Sequence, residues 1–109
     1  MSGFSVVFVT AGSEQEASRV GRTLVEERLA ACANIVPRIR SIYRWKGDLC
    51  EEEEVLLIMK TRSSLFPSLM KRVMELHSYE VPEIVAVPLG AGLPAYLDWV
   101  VENTLDAGE

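Results

Sequence analysis

The residues of this chain best suited to chemistry are soft metal ligands, namely one histidine, two cysteines and a small number of methionines. Copper and zinc need several imidazole or thiolate ligands converging within about 2.0–2.3 Å of the ion. Cys32, Cys50 and His77 are far apart along the chain, and no Cys-x-x-Cys pair is present. One chain therefore offers His77 and Cys32 as candidate metal ligands, and a symmetry axis would be needed to multiply them into a complete site.

Each candidate ligand also has a structural interpretation. His77 follows the second predicted helix, where a cation would complement the C-terminal end of the helix dipole. Cys32 follows an alanine-rich segment and suits a small buried position. Cys50 lies near a predicted hairpin tip, where it would be open to oxidation or to adventitious metal. Met70 shares the apolar stripe of the second helix and is expected in the core.

A second group of candidates is polar and aromatic. Tyr79 and Glu83 flank Pro82 between a helix and a strand, where positioned polar groups often serve binding. The structural alternative pairs Glu83 with an arginine of another subunit. Tyr43 and Trp45 lie on a predicted hairpin and are expected to pack across a subunit interface rather than to form a ligand platform.

The first helix is marked by its start signal and its periodicity. Ser13 and Glu16 match a capping box, in which the serine caps one free N–H and the glutamate reaches back to another. Apolar residues recur at helical spacing and predict a helix from about Ser13 to Leu29. Gly21 lies on the apolar side, where its missing side chain permits close approach to a sheet.

Strands and two further helices account for most of the remaining chain. The apolar runs that predict strands are 4–10, 55–60 and 84–87. Ser63 or Ser64 is expected to cap the second helix, with Pro67 in its first turn, where a missing N–H costs nothing. Pro94 is expected to start a short C-terminal helix.

A long β-hairpin is predicted in the middle of the chain. Residues 34–46 read as extended and 47–48 as the turn. Pro37 cannot donate to a strand ladder and strict alternation fails after it, which indicates a bent edge strand or a bulge. Basic residues before the turn and the four glutamates at 51–54 predict a solvated hairpin with paired opposite charges.

The order of elements predicts one α+β domain over 1–109. It is a ferredoxin-like β-α-β-β-α-β antiparallel sheet with a long hairpin between its second and third strands and an extra C-terminal helix. Right-handed crossovers place both main helices on one face of the sheet. Three strands are nevertheless apolar at consecutive positions, so that both sheet faces are hydrophobic. A monomer rarely tolerates so much exposed apolar surface, which predicts an obligate oligomer.

Composition and charge exclude several classes of partner. The 109 residues are 49% hydrophobic and 25% charged, as in a globular domain. A net charge of -5 argues against nucleic acid. No apolar run approaches the ~20 residues of a membrane span, and the N-terminus does not resemble a signal peptide. We therefore expect a cytoplasmic protein with free thiols and no membrane partner.

Five segments, taken in order, resemble the CutA divalent-cation tolerance family. They are RLAACANI at 28–35, SIYRWKG at 41–47, EVLLIMKT at 54–61, HSYEVPEI at 77–84 and YLDW at 96–99. The resemblance covers nearly the whole chain. It implies a ferredoxin-like homotrimer similar to the PII signalling proteins, with hairpins that pair with neighbouring subunits. It also implies a non-catalytic role in tolerance to divalent cations, copper above all.

The chain departs from the pattern of some relatives at the positions credited with copper. Val9 stands where those members carry a cysteine, and Leu76 stands where they carry a second histidine. Ser78 replaces their usual proline. Of the copper-associated residues, His77 alone carries over.

Two rival classes are disfavoured and one alternative stays open. Enzymes of the hydrolase or phosphate-binding type would need a nucleophile elbow or a glycine loop with lysine, and neither is present. RNA-binding modules of this topology would show a basic, aromatic central strand. The open alternative is a PII-like small-molecule sensor that binds its effector near Arg38, Arg40 or Lys60 at a subunit boundary.

Overall fold

The computed structural model describes residues 3–106. Its main elements in chain order are β1 (Phe4–Ala11), α1 (Glu14–Glu26), β2 (Cys32–Trp45), β3 (Asp48–Arg62), α2 (Phe66–Leu76), β4 (Ile84–Leu89) and α3 (Pro94–Glu102). The four strands form one antiparallel sheet in the order β2-β3-β1-β4. The predicted ferredoxin-like α+β fold, with its long hairpin and its extra C-terminal helix, is confirmed.

The core lies between one face of the sheet and the helices α1 and α2. Its fully buried strand and helix residues are Val7, Val9, Ala11, Leu57, Met59, Ala17, Val20, Leu24, Leu69 and Val73. Gly21 has the predicted role, because a β-carbon built there would lie 3.1 Å from Ala33 Cβ and 3.2 Å from Leu57 Cδ2. The close approach of α1 to the sheet therefore depends on glycine at this position.

The other side of the sheet, called here the open face, is also apolar. Strand partners Val6 and Val87, and Phe8 and Val85, lie together on it. Val85 and Val87 remain 47% and 48% exposed. Helix α3 covers part of this face, where Arg62 donates to the carbonyl of Val101 at 2.9 Å. The prediction that both sheet faces carry hydrophobic groups is confirmed.

Helix α1 begins as predicted and ends earlier. The hydroxyl of Ser13 accepts from Glu16 N–H at 3.1 Å, and the Glu16 carboxylate accepts from Gly12 N–H at 3.4 Å. The predicted end at Leu29 is wrong. Arg28 adopts φ 62°, and Leu29 N–H bonds to the carbonyl of Leu24, which is the Schellman ending usually made by glycine. An arginine at that position gives no sequence signal of a helix end.

The start of α2 also differs from the prediction. A 3₁₀ turn, Ser63–Leu65, precedes the helix, and no side chain caps it. The Ser63 hydroxyl instead lies 2.7 Å from that of Ser5 on β1. Pro67 occupies the first turn, as predicted, whereas Met70 is exposed rather than in the core because α2 turns Leu69 and Val73 inward.

The hairpin of β2 and β3 contains the predicted bulge on a sheet edge. The register shifts between Val36 and Ile39, and Arg38 within the bulge has φ 62°. The turn is Lys46–Gly47 rather than 47–48. Both turn residues have positive φ, 51° and 88°, as a type I′ turn requires.

Within the described residues, none of the helices has the length and apolar character that crossing a membrane would need.

Candidate functional site

A cleft of about 580 Å³ lies between the β2-β3 hairpin and the segment after α2, and is called here the hairpin cleft. Its lining combines aromatic, aliphatic and acidic side chains with few other polar groups. The lining residues are Thr10, Ser41, Ile42, Tyr43, Trp45, Glu52, Glu54, Tyr79, Glu80, Val81 and Glu83. Four of the six residues predicted as ligand or interface residues, Tyr43, Trp45, Tyr79 and Glu83, therefore come together in one place.

The bulge in β2 determines which side chains reach the hairpin cleft. Before the bulge Val36 is paired with Leu56, and after it Ile39 is paired with Glu54. Three steps along β2 therefore match two steps along β3. The sheet face that carries the even-numbered residues of β2 before the bulge carries its odd-numbered residues after the bulge. Tyr43 consequently shares a sheet face with Glu52 and Glu54.

Tyr79 closes the inner end of the cleft through a buried carboxylate. Its hydroxyl donates to Glu54 Oε2 at 2.7 Å, and Glu54 is only 7% exposed. A β-carbon at Gly12 would lie 3.3 Å from that hydroxyl, so glycine leaves room for the phenol. Burial and the adjacent Glu54 carboxylate raise the pKa of Tyr79 well above its usual range. The phenol therefore remains a proton donor.

The outer end of the cleft carries a second phenol and an ion pair. Tyr43 donates to the Glu52 carboxylate, and this hydrogen bond raises the pKa of Tyr43 to about 12. Lys46 Nζ lies 3.8 Å from Glu80 Oε1 and 5.6 Å from the centroid of the Trp45 ring. The lysine of the hairpin turn thus bridges to the segment after α2.

His77 lies behind the cleft and supports it. Nδ1 accepts a hydrogen bond from Tyr79 N–H at 3.1 Å, so Nε2 carries the proton and donates to the carbonyl of Thr10 at 2.6 Å. The side chain is fully buried. Both ring nitrogens are therefore engaged, and neither is available to a metal ion in this conformation. His77 is the residue that ends helix α2, and its Nδ1 lies 3.7 Å from Glu16 Oε2.

Glu16 ties the same segment to helix α1. One carboxylate oxygen accepts from Ser78 N–H at 2.8 Å. Burial acts to raise the pKa of Glu16, but the hydrogen bonds from Ser78 and Gly12 outweigh it and hold this pKa below its usual value. The capping glutamate of α1 therefore also fixes the backbone that presents Tyr79.

The other predicted site residues lie outside the hairpin cleft. Cys32 begins β2 with its Sγ 3.6 Å from the hydroxyl of Tyr96, a contact that, together with burial, raises the pKa of Tyr96 to about 12. Lys60 donates to Asn34 Oδ1 at 2.6 Å on the open face. Arg38 lines a second, smaller cavity of about 480 Å³ on the hairpin. No three histidine, cysteine, aspartate or glutamate side chains between residues 3 and 106 are grouped so that they could hold a metal ion.

Sequence reasoning missed the carboxylates that give the cleft its charge. The glutamate run predicts a solvated hairpin face, and the 3.5 Å ion pair of Arg40 with Glu51 agrees with that interpretation. Glu52 and Glu54 instead accept hydrogen bonds from the hydroxyls of Tyr43 and Tyr79. A spacing of two in a strand places both on one face, and this signal was available in the sequence.

The arrangement can hold a positively charged group against an aromatic wall. Two carboxylates are bonded to neutral phenols, which donate protons without cancelling the negative charge. The field in the cleft is therefore negative, which disfavours phosphate-bearing ligands.

Comparisons with known proteins give one family. The CutA1 family, described as a divalent ion tolerance protein, matches residues 5–103. The divalent-cation tolerance protein CutA of Thermus thermophilus is 54% identical over 99 residues, which cover 91% of this chain and 96% of that protein. Protein CutA of Mus musculus is 49% identical over 92% of this chain, which spans only 56% of that longer protein.

A solved structure supports the same assignment. The divalent cation tolerance protein (Cut A1) from Thermus thermophilus superposes with a TM-score of 0.90 at 53% sequence identity. The superposition covers 93% of this chain and 98% of that one. The chain belongs to the CutA1 divalent ion tolerance protein family.

Proposed function

We propose that this chain is a non-catalytic, cytoplasmic homotrimer that serves tolerance to divalent cations, copper first among them. Any copper it holds is bound between subunits rather than within one. The family description and the names of the relatives supply the link to divalent cations. Cys32 and Cys50 are both free thiols, which suits a reducing compartment.

The observation that carries this proposal is the apolar open face of the sheet. Val85 and Val87 are about half exposed beside Val6 and Phe8, and helix α3 covers only part of the face. Water contact with such a face is unfavourable by roughly 25 cal/mol for each Å² of apolar surface. Packing the open faces of several subunits together in a closed ring removes this surface from water and leaves no subunit with an uncovered face.

The positions of the candidate ligands support an intersubunit metal site. His77 uses both ring nitrogens inside its own subunit. Cys32 lies beside the open face next to Tyr96, with only partial exposure. A thiol there is close to the surface that the oligomer would bury, so that a symmetry axis could bring several copies to one ion.

The test combines the mass of the particle with its copper content. Light scattering at micromolar concentration should give three times the 12.1 kDa chain mass. A copper titration against a competing chelator, under reducing and anaerobic conditions, should then show binding with fewer ions than chains. Cys32→Ser should remove it, whereas His77→Ala should leave copper affinity unchanged.

Either measurement can contradict the proposal. A monomeric mass at micromolar concentration would contradict the proposed oligomer. Copper bound one to one with each chain would exclude a site on the symmetry axis. Loss of copper in His77→Ala, with the fold and mass retained, would place the site at His77 within the subunit. If the protein is a trimer but takes no copper from the chelator, the copper proposal is wrong and the trimer proposal is unaffected.

A PII-like sensor is the second candidate function, and the cavity at Arg38 favours it. Arg38 and Arg40 line this cavity together with glutamates 51–53. Guanidinium groups are good partners for phosphate and carboxylate groups of an effector. A trimer that binds a nucleotide with an affinity reduced by Arg38→Gln, and that takes up no copper, would select this function over the first.

A further inference from the structure

Helix α2 carries two exposed methionines, whereas the other methionine among residues 3–106 lies in the core. Met70 and Met74 are 39% and 51% exposed, and Met59 of β3 is fully buried. The exposed positions next to them, Lys71 and Glu75, are charged. Because helix positions that face water usually carry polar side chains, the two thioethers stand out on this surface.

The two methionines share one flank of α2. Each follows an inward-facing residue by one position, Met70 after Leu69 and Met74 after Val73. A spacing of four residues brings their side chains together on the helix surface. This pair of thioethers is called here the methionine flank.

The methionine flank faces away from α1 and lies outside the surfaces expected at subunit contacts. Arg72, on the opposite side of α2, donates to both carboxylate oxygens of Glu27, at 2.9 Å each, where α1 ends. Helix α2 packs on the core side of the sheet, and the proposed oligomer would bury the other side, the open face. Neither the open face nor the β2-β3 hairpin includes the methionine flank.

An exposed thioether is a substrate for hydroperoxides. The sulfur lone pair attacks the terminal peroxide oxygen, a sulfur–oxygen bond forms, the O–O bond breaks, and the rest of the peroxide leaves as water or an alcohol. Sulfur is oxidised and the peroxide is reduced, with no proton left over. The polar sulfoxide would be hydrated on the methionine flank. At Met59 it would be buried in the apolar core without a hydrogen-bond partner.

We propose that the methionine flank is a reversible oxidation site, with hydroperoxides as the oxidant and methionine sulfoxide reductase as the enzyme that restores the thioethers. Oxidation turns an apolar strip on the outer side of α2 into a polar one. Leu69 and Val73 lie on a different side of the helix and keep their packing, so the fold is retained in both states. The inference is independent of the copper and PII-like proposals.

The test is treatment of the native protein with hydrogen peroxide, followed by mass spectrometry of its peptides at successive times. Fragment spectra assign each added oxygen to one residue, so oxidation of the cysteines is counted separately. Met70 and Met74 should each gain one oxygen at least about tenfold faster than Met59, because burial excludes the oxidant. In denaturing urea all three should react at similar rates. Methionine sulfoxide reductase should then remove both oxygens from the folded protein.

Leu69→Met is the matched control, because it places a thioether one position from Met70 but on the inward side of α2. Cores tolerate this exchange, and the new thioether should resist peroxide as Met59 does. The double variant Met70→Leu with Met74→Leu is oxidised in parallel and accounts for effects of cysteine oxidation. Relative to it, oxidised wild type should keep its particle mass and its urea midpoint.

Any of four results would overturn the proposal. The first is resistance of Met70 or Met74 to peroxide in the native particle. The second is oxidation of the new thioether in Leu69→Met as fast as that of Met70. The third is a loss of particle mass or stability that the double variant does not share. The fourth is failure of the reductase to restore the thioethers of the folded protein.

Discussion

Replacing Tyr79 with phenylalanine removes the hydroxyl that donates to the buried carboxylate of Glu54. The hydrogen bond measures 2.7 Å, and Glu54 is 7% exposed. The ring itself would still fill the space over Gly12, so the change isolates the hydroxyl. The variant therefore reports the energetic value of the contact that closes the inner end of the hairpin cleft.

The expected cost follows from the charge of the acceptor. A hydrogen bond to a charged group contributes about 1.5–3 kcal/mol. Water entering the open cleft can partly replace the phenol, so a value of about 2 kcal/mol is expected from that range. This is a large share of the roughly 5–15 kcal/mol that stabilises an ordinary domain.

The assay is urea unfolding at pH 7 with all variants at the same chain concentration, because the stability of the proposed oligomer would depend on concentration. Tyr43→Phe is the matched control, because the Tyr43 phenol donates to the exposed Glu52. This variant should leave the urea midpoint unchanged. A double-mutant cycle with Glu54→Gln should assign most of the loss to the Tyr79–Glu54 pair.

Two results would refute this reasoning. The first is a free energy of unfolding for Tyr79→Phe within about 0.5 kcal/mol of the wild-type value, as for surface substitutions. The phenol would then contribute nothing to the stability of the buried carboxylate. If Tyr79→Phe and Tyr43→Phe lose the same stability, burial of the acceptor is not the deciding factor.

Three further predictions test other parts of the structure. Gly21→Ala should destabilise the fold by about 1 kcal/mol despite the better helix propensity of alanine, because the new methyl would meet Ala33 Cβ at 3.1 Å; a raised urea midpoint would contradict the close packing. Glu16 has a lowered folded-state pKa, so its contribution is present above the ordinary value of 4.5 and is lost as the pH falls through the lower folded value. The urea midpoint of Glu16→Gln should therefore fall less steeply than that of wild type as the pH is lowered below 4.5, and parallel curves would reject the role. Val85→Asp should dissociate the particle in light scattering, whereas the exposed Met74→Asp on α2 should not; a Val85→Asp variant of unchanged mass would exclude the open face as the interface.

The elements of the fold were predictable because each has its own local signal. The capping box at Ser13 and the apolar strand runs depend on neighbours only a few residues away. The end of α1 was not predictable, because Arg28 adopts a conformation usually left to glycine. Its side chain donates to the carbonyl of Glu102 at 2.7 Å, a partner 74 positions away.

The site was only partly predictable for the same reason. Tyr79 and Glu83 stood out through their position beside Pro82, but the orientation of the His77 ring depends on the carbonyl of Thr10, 67 positions away. The grouping of Tyr43 with Glu52 requires the register of the hairpin, and that register depends on where the bulge falls. A sequence pattern indicates that the strand is irregular without locating the irregular residue.

Because of the bulge at Arg38, the hairpin can lose one residue at this position, and only there, without changing the sheet face on which the later residues of β2 lie. Deleting a single residue in 39–42 would turn the residues between the deletion and the turn to the other face, and so separate Tyr43 from Glu52. Deleting Arg38 would instead convert the bulge into a regular ladder, leave Ile39 opposite Glu54, and remove a residue of positive φ. Among relatives of this chain, one-residue differences in hairpin length should therefore be concentrated at this position, and a relative without the extra residue can still build the same cleft.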